Sequence, residues 1–179
     1  MGTGILICGL NGCGKSTLGI ALAQELNYHF IDNEYLFFSR TETSQPYANP
    51  RSHEEAKSLF KREVSEHPNF VFAAVIGNYC ENAGDLYQYI VYITAPQAVR
   101  STRVRQRSFQ KFGARMLLGG DLYEAEEAFF AFAENRSEKY VENWLKNVKC
   151  PLIRVDGTKP IKENIAYIKH WLSGTGSLK

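Results

Sequence analysis

A glycine-rich segment near the start of the chain constrains the fold more than any other feature. Residues 9–17 read GLNGCGKST, which matches the pattern G-x-x-x-x-G-K-[ST] at every fixed position. An apolar run at residues 5–8 precedes it, and apolar residues at helical spacing follow it at Leu18, Leu22 and Leu26. In this order of strand, loop and helix, the pattern predicts a cradle for nucleotide phosphates. The alternative is a glycine-rich turn that binds nothing.

The chemistry of such a cradle follows from its backbone. Glycines let successive N–H groups converge on the phosphates, and the following helix adds the positive end of its dipole. Lys15 would reach the β- and γ-phosphates, and the Ser16 hydroxyl would ligate Mg²⁺. The predicted nucleotide contacts in this loop are Asn11, Gly12, Cys13, Gly14, Lys15, Ser16 and Thr17.

Length and composition favour one intracellular domain spanning residues 1–179. Hydrophobic residues make up 44% of the chain and charged residues 22%, and no apolar run approaches the length of a membrane span. The net charge of +2 is too small to indicate a nucleic-acid partner. Because the first strand and the phosphate loop leave no room for a signal peptide, we expect a cytoplasmic protein.

The cysteines are expected to be free thiols. Cys8, Cys13, Cys80 and Cys150 include no C-x-x-C pair. Cys8 and Cys150 are expected to be buried in or near strands, whereas Cys13 is expected to be exposed in the loop.

Apolar runs alternate with helical patterns in the order expected of a parallel α/β sheet. Strands are predicted at about residues 4–8, 28–31, 70–76, 89–93 and 152–155. Helices are predicted at about residues 15–26, 52–66, from 94 to about 107, 121–147 and 161–172. Residues 33–66 are interpreted as an acceptor-binding insertion, and residues 108–121, which are rich in basic residues and glycine, as a lid.

The positions of acidic residues directly after the predicted strands narrow the function. The third apolar run ends in Gly77 and Asn78 without a carboxylate, whereas Asp32 follows the second strand. Since the carboxyl ends of parallel strands open on one edge, Asp32 is predicted to lie near the γ-phosphate and Mg²⁺. There it would hold the metal or accept a proton from an acceptor hydroxyl. The alternative is that Asp32 only caps the following turn.

Arginines on the helix after the fourth strand form a second candidate group. Arg100, Arg103 and Arg107 share a helical face, where guanidinium groups would stabilise charge on the transferring phosphoryl group. The alternative is a solvated basic face. Arg136, beyond the predicted lid, is a further candidate that would approach when the lid closes.

These motifs resemble the adenylate kinase and shikimate kinase group of small phosphate-loop kinases. Besides the loop, Pro96 is followed at +7 and +11 by Arg103 and Arg107, as in the helix that leads into the adenylate kinase lid. Residues 136–140 resemble the Arg-x-x-x-Tyr stretch of that family, and residues 155–160 resemble its adenine-side loop.

The resemblance implies a three-layer P-loop NTP hydrolase fold, with a five-stranded parallel sheet in the order 2-3-1-4-5 and a small helical lid. It also implies ATP as donor. Arg103 and the loop containing Asp156 and Gly157 would flank the adenine, while Arg107 and Arg136 would contact the transferring phosphate.

The chain departs from this family on the acceptor side. Adenylate kinases have a Gly-Asp pair and a downstream Arg where this chain has Ile31-Asp32-Asn33-Glu34, and their Gly-x-Pro-Arg stretch after strand three is missing. The acidic residues are closer to those of shikimate kinases, whose glycine triplet after strand three is absent here. The predicted acceptor contacts are Glu34, Arg40, Arg51 and Asn78.

The sequence thus predicts a kinase that moves the γ-phosphoryl group of MgATP to a small acceptor. Lys15, Arg107 and Arg136 would stabilise charge, Ser16 and Asp32 would hold Mg²⁺, and Asp32 is also the candidate for the base. A nucleoside monophosphate or related metabolite is favoured over a sugar or a shikimate-like acid. Two alternatives remain, a hydrolytic ATPase or nucleotide-gated switch, and a non-catalytic ATP-binding interaction module.

Overall fold

The sheet has the topology that the sequence predicted. A computed structural model describes residues 2–38, 49–79 and 83–174. In these residues, five parallel strands lie in the order β2-β3-β1-β4-β5, namely β1 (Gly4–Cys8), β2 (His29–Asp32), β3 (Phe70–Ala74), β4 (Tyr89–Thr94) and β5 (Leu152–Asp156). This confirms the predicted order 2-3-1-4-5.

Helices cover both faces of the sheet. Those described are α1 (Lys15–Leu26), α2 (Asn33–Phe37), α3 (His53–Glu66), α4 (Ala83–Leu86), α5 (Gln97–Phe112), α6 (Tyr123–Asn135), α7 (Lys139–Leu145) and α8 (Ile161–Leu172), with a 3₁₀ turn at Gly113–Met116. None of the described helices is both long enough and apolar enough to cross a lipid bilayer.

The central strand β1 shows how the core is divided. All its residues are buried, as expected for a strand between two helical layers. Because successive side chains point to opposite faces, Ile5 and Ile7 pack in a cluster with α1 and α8, while Leu6 and Cys8 pack in another with α3 and α7. Strand β1 therefore anchors the loop that follows it from both sides.

The start of α3 follows the capping signal in the sequence. The Ser52 hydroxyl accepts a hydrogen bond from the Glu55 backbone N–H, and the Glu55 carboxylate accepts one from the Ser52 backbone N–H. The start of α5 differs from the expectation, because its N-cap is Pro96 rather than Thr94. Thr94 instead ends β4, where it pairs with Asp156 of β5.

The helix predicted over residues 121–147 is wrong as a single element. It is broken at Arg136, whose backbone is extended, and continues as α7. The two halves pack in different places, since Phe130 of α6 joins a cluster with Val104 of α5, while Val141 of α7 lies in the cluster on the sheet. A single straight helix cannot pack one apolar face against both of these clusters.

The segment at residues 108–121, interpreted as a lid, is partly helical. Helix α5 continues to Phe112, and the 3₁₀ turn and a further turn follow it. Two contacts close this segment, a 2.7 Å ion pair between Arg115 Nη2 and Asp121 Oδ2 and a hydrogen bond from the Leu122 N–H to the Arg115 carbonyl. Its role as a lid stays a prediction.

Candidate active site

The phosphate loop connects β1 to α1 through backbone conformations that require glycine. Gly12 has φ 80°, and a Cβ there would lie 2.4 Å from the Arg100 carbonyl oxygen of α5. Gly14, with φ 105°, is the N-cap of α1 and offers no side-chain cap. The first N–H groups of α1 are therefore left for a ligand, and the helix dipole favours an anion there.

Lys15 spans this loop. Its Nζ donates a 2.9 Å hydrogen bond to the Leu10 carbonyl oxygen, and its side chain is half-buried. Ser16 follows it in the first turn of α1 and is also half-buried, whereas Thr17 is exposed. The ammonium group and the hydroxyl thus occupy the loop end of α1, where a bound triphosphate would meet them.

Cys13 corrects one expectation about the loop. It was predicted to be exposed, but its side chain is 0% exposed and packs in the cluster that contains Ile93 and Val155. The loop backbone directs this side chain toward β4 and β5, beneath the phosphate site. Of Cys13, only the backbone N–H remains as a candidate phosphate contact, and it donates a long 3.4 Å hydrogen bond to the Leu10 carbonyl oxygen.

Arg100 does not share the exposed surroundings of Arg103 and Arg107, contrary to expectation. It is buried, and its Nε donates a 3.1 Å hydrogen bond to the Ala95 carbonyl oxygen. It lines a small recess with Asn11 and Phe130, where the Asn11 Oδ1 is buried and has no hydrogen-bond partner among the described residues. Arg100 supports the loop from below rather than facing its ligand.

A cavity of about 260 Å³ lies beside the phosphate loop, close to the lower end of the range of about 300–1,000 Å³ typical of small-molecule sites. Its walls come from the loop, the start of α1, the middle of α5, and the segment between β5 and α8. The lining residues are Cys13, Gly14, Thr17, Leu18, Ile93, Arg103, Gly157, Lys159, Ile161 and Asn164.

The loop after β5 is held against the phosphate loop at Gly157. The Gly157 N–H donates a 2.7 Å hydrogen bond to the Thr94 carbonyl, and Arg103 Nη1 donates a 3.0 Å bond to the Gly157 carbonyl. A Cβ on Gly157 would lie 2.2 Å from the Cys13 carbonyl oxygen. Arg103 and this loop therefore form one wall of the cavity, at the place where the resemblance predicts the adenine.

Asp156 shapes that wall without lining the cavity. Its Oδ1 accepts hydrogen bonds from the Thr158 N–H and hydroxyl at 2.8 and 2.6 Å, which forms an Asx turn. These two donors hold the pKa of the Asp156 carboxyl below its usual range. Asn164 Nδ2 of α8 donates a 2.8 Å hydrogen bond to the Asp156 carbonyl. Sequence reasoning missed Asn164 and Ile161, because no local pattern marks a helix residue as part of a wall built by other elements.

Asp32 ends β2 at the same edge of the sheet as the phosphate loop. It pairs with Ala73 of β3, which pairs with Ile7 of β1, so two strand spacings, about 10 Å, separate Asp32 from β1. Its Oδ1 accepts a 2.9 Å hydrogen bond from the Glu34 N–H and caps α2. The second oxygen is left for a metal, a water or a proton, so the cap and the chemical role are compatible.

Two further predicted acceptor residues, Glu34 and Arg51, belong to or contact α2. The Glu34 carboxylate is 3.8 Å from the Lys111 Nζ near the end of α5. Arg51 Nη1 donates 3.2 Å hydrogen bonds to the Tyr35 and Leu36 carbonyls, and so holds the end of α2. Arg40 lies outside the described residues.

Beyond β3, Asn78 is exposed and Tyr79 is buried. The Tyr79 hydroxyl donates a hydrogen bond to Asn33 Oδ1, and burial raises the pKa of Tyr79 to about 12. This contact joins the ends of β2 and β3 below the acceptor side. Sequence reasoning missed it, because Tyr79 and Asn33 are distant in the chain.

The two arginines predicted to contact the transferring phosphate have different surroundings. Arg107 lies one turn beyond Arg103 on α5, is exposed, and makes no hydrogen bond or ion pair with the described residues. The Arg136 guanidinium lies over the Tyr140 ring at 4.4 Å and the Phe132 ring at 5.4 Å. The contact with Tyr140 accounts for the Arg-x-x-x-Tyr spacing at the break between α6 and α7.

A comparison with protein families decides the classification of this site. The family model for the AAA domain matches residues 5–115, from β1 through the phosphate loop to the 3₁₀ turn after α5. This chain belongs to the AAA domain family. Within it, the chain is a small P-loop protein of the adenylate kinase and shikimate kinase-like group, which confirms the resemblance predicted from its motifs.

Two curated relatives of this AAA domain protein match over most of their length. YqaC of Bacillus subtilis is 25% identical over 177 residues, which cover 94% of this chain and 97% of YqaC. A shikimate kinase of Shewanella frigidimarina is 25% identical over 166 residues, which cover 93% of this chain and 78% of that enzyme.

The fold also matches a crystal structure. The shikimate kinase of Bacteroides thetaiotaomicron superimposes with a TM-score of 0.59 at 20% identity, covering 96% of this chain and 98% of that one. The likeness supports the three-layer P-loop fold of this AAA domain protein.

The residues of this AAA domain protein fit ATP and a divalent metal. The uncapped start of α1 and Lys15 suit phosphate oxygens, and the cavity beside Arg103 and Gly157 suits a base. The Ser16 hydroxyl and the open Asp32 oxygen are the hard donors that Mg²⁺ prefers. The arrangement can therefore present a terminal phosphoryl group at the edge of the sheet where β2 ends in Asp32 and α2 begins.

Proposed function

We propose that this protein is an ATP-dependent kinase that transfers the γ-phosphoryl group of MgATP to a hydroxyl group of a small metabolite. The observation that carries the proposal is the position of Asp32, about two strand spacings from β1 at the phosphate-loop edge, with one carboxylate oxygen open. The names of its shikimate kinase relatives support the same class of reaction.

Each part of the proposed phosphoryl transfer is assigned to groups of this chain. The N–H groups at the start of α1 and the Lys15 ammonium hold the phosphates, and Arg103 and Gly157 hold the base side. Ser16 would hold Mg²⁺ directly and Asp32 would hold it through a water, and the bound ion would neutralise charge on the phosphate oxygens. Asp32 accepts the proton of the attacking hydroxyl. Arg107 and Arg136 are proposed to stabilise the transferring group.

A hydroxyl acceptor is favoured over a phosphate acceptor by the charges around α2. Asp32 places a carboxylate on this side that repels the dianion of a monophosphate, whereas the Glu34 carboxylate lies next to the Lys111 ammonium group. The Arg51 guanidinium already donates to two backbone carbonyls and is less available for a phosphate. The nucleoside monophosphate favoured by the sequence motifs stays a prediction, which the experiment below also tests.

ADP formation in the presence of MgATP and a panel of acceptors tests the proposal. The panel contains hydroxy acids related to shikimate, sugar acids, sugars and nucleoside monophosphates. We expect at least one hydroxyl compound to raise turnover by 10-fold or more, and Lys15→Met to abolish that rise. Lys61→Met, an exposed lysine of α3, is the matched control and should behave as the wild type.

Three results would contradict the proposal. If only monophosphates raise turnover, the acceptor class is wrong. If ADP forms at one rate whatever is added, the protein is an ATPase or a switch. Tight ATP binding without any turnover would instead indicate a non-catalytic binding module.

A further inference from the structure

Two histidines and a glutamate meet at the edge of the sheet opposite the phosphate loop. His29 is the first residue of β2, Glu63 lies in the last turn of α3, and His67 is the residue that caps α3. The His29 backbone N–H donates a 3.0 Å hydrogen bond to the carbonyl of Asn69, the residue just before β3, and the His67 N–H donates one of 2.9 Å to the Glu63 carbonyl. Both backbones that carry this cluster are therefore fixed by the fold.

The side chains already converge. One ligand atom from each of the three residues lies within 4.8 Å of the other two, and His29 Nε2 is 2.8 Å from Glu63 Oε2. The rings of His29 and His67 lie 3.9 Å apart, centroid to centroid, and are tilted by 18°. The side chains of His29 and Glu63 are 33% and 28% exposed, so an ion can reach the cluster from solvent.

We propose that His29, Glu63 and His67 form a binding site for a divalent transition metal ion, with Zn²⁺ as the best-suited ion. Two imidazole nitrogens and one carboxylate oxygen are donors that Zn²⁺ takes at about 2.0–2.2 Å. In a tetrahedral site, these bond lengths place ligand atoms about 3.3 Å apart. The ligand atoms of His29 and Glu63, 2.8 Å apart, separate slightly to admit the ion, and rotation of the exposed His67 side chain completes the set.

The donor set distinguishes this site from the Mg²⁺ site proposed at the phosphate loop. Mg²⁺ prefers oxygen ligands, whereas imidazole suits zinc, copper and nickel. Three protein ligands leave a fourth position for water. The ion at this edge is also about three residues of strand, or roughly 10 Å, from Asp32 at the other end of β2.

The bound ion ties the end of α3 to the start of β2. No other covalent or ionic link joins these two elements among the described residues, apart from the His29–Glu63 pair within the cluster itself. Helix α3 is the last part of the segment predicted to bind the acceptor. The ion therefore holds the end of that segment against β2.

Zn²⁺ binding to the chelator-treated, full-length protein tests this inference. In calorimetric titration, His29→Gln and His67→Gln should each weaken Zn²⁺ binding by 10-fold or more. The chain offers matched controls, because His53→Gln and His170→Gln remove the two histidines outside the cluster and should leave the affinity unchanged. Zn²⁺ at 100 times its dissociation constant should raise the Tm of the wild type by roughly 5–10 °C.

Co²⁺ absorption gives a readout that does not depend on the variants folding. The wild type should show the visible bands of tetrahedral Co²⁺ without the near-ultraviolet band of a thiolate ligand, and excess Mg²⁺ should not remove them. A thiolate band would assign the metal to cysteines and overturn the inference. An affinity equal in all four histidine variants, or no Zn²⁺ binding at all, would also overturn it.

Discussion

Single side chains in this protein carry both structural and chemical tasks, and Asp32 shows how they can be separated. One oxygen of its carboxylate caps α2 through the Glu34 N–H, and the other is open toward the proposed metal and acceptor. Asparagine caps a helix about as well as aspartate but has no charge and cannot accept a proton. Substitution by asparagine therefore removes the chemistry and keeps the cap.

For Asp32→Asn, we expect kcat to fall by about 10²–10⁴-fold while the free energy of unfolding changes by less than about 0.5 kcal/mol. Asp32→Ala should lose a similar amount of activity and also about 1 kcal/mol of stability, because the cap is gone. Steady-state kinetics and urea unfolding measure the two effects. Asp85→Asn, an exposed residue of α4, serves as the control. Full activity in Asp32→Asn would exclude Asp32 as base.

Asp156 provides a prediction about pH. Hydrogen bonds from Thr158 lower the pKa of its carboxyl in the folded protein. A carboxyl with a lowered pKa contributes stability that is present above its unfolded value of about 3.9 and is lost as the pH falls through the folded value. The turn should therefore keep this contribution from neutral pH down to about pH 4. Carbon NMR titration of the carboxyl should give a pKa below 3.9, and a value at or above that would contradict the hydrogen-bonded turn.

At the scale of elements, the phosphate loop works as part of a wall made with α5 and the loop after β5. Gly157 is the point of closest approach, because its missing Cβ leaves room for the Cys13 carbonyl. The Arg103 bond to the Gly157 carbonyl closes the same contact from α5. These three elements together define the cavity proposed for the base.

Gly157→Ala should therefore displace the loop after β5 from the phosphate loop. We expect the KM for ATP to rise by about 10-fold and the stability to fall by about 1–3 kcal/mol, as for overpacking of a buried contact. Gly113→Ala is a glycine control, since a Cβ there meets nothing within 4 Å, although its φ of 57° adds some backbone strain. An unchanged KM for ATP in Gly157→Ala would show that the loop after β5 does not contribute to nucleotide binding.

The sequence predicted the elements whose signals are local. Helix α1 begins and ends where predicted, α3 begins at its capping box, and the strands agree to within about two residues. The break at Arg136 was missed, because apolar spacing alone does not reveal that α6 and α7 pack against different partners. The burial of Cys13 was missed for a similar reason, since the residues that cover it come from β4 and β5.

At the scale of the whole molecule, the parallel sheet separates two sites at opposite edges. The carboxyl ends of the strands carry the phosphate loop and Asp32, and the amino end of β2 carries the cluster of His29, Glu63 and His67. A ligand that binds only the folded state stabilises the whole domain, so each site can be followed through the same unfolding transition.

MgATP at 100 times its dissociation constant should stabilise the wild type by about 2.7 kcal/mol. Lys15→Met should lose most of that gain, whereas His67→Gln should keep it, because His67 lies at the other edge. Thermal unfolding of each variant with and without MgATP measures the difference. Equal stabilisation of Lys15→Met and wild type would contradict the assignment of the phosphate loop as the nucleotide site.

The central claim is that this protein moves a phosphoryl group to a small hydroxyl acceptor, and phosphorus NMR of the complete reaction tests it most directly. With MgATP and the acceptor that raises turnover, a phosphate monoester resonance should grow in step with ADP. Little inorganic phosphate should form. Growth of inorganic phosphate alone, at a rate that no acceptor changes, would contradict the account and identify a hydrolase.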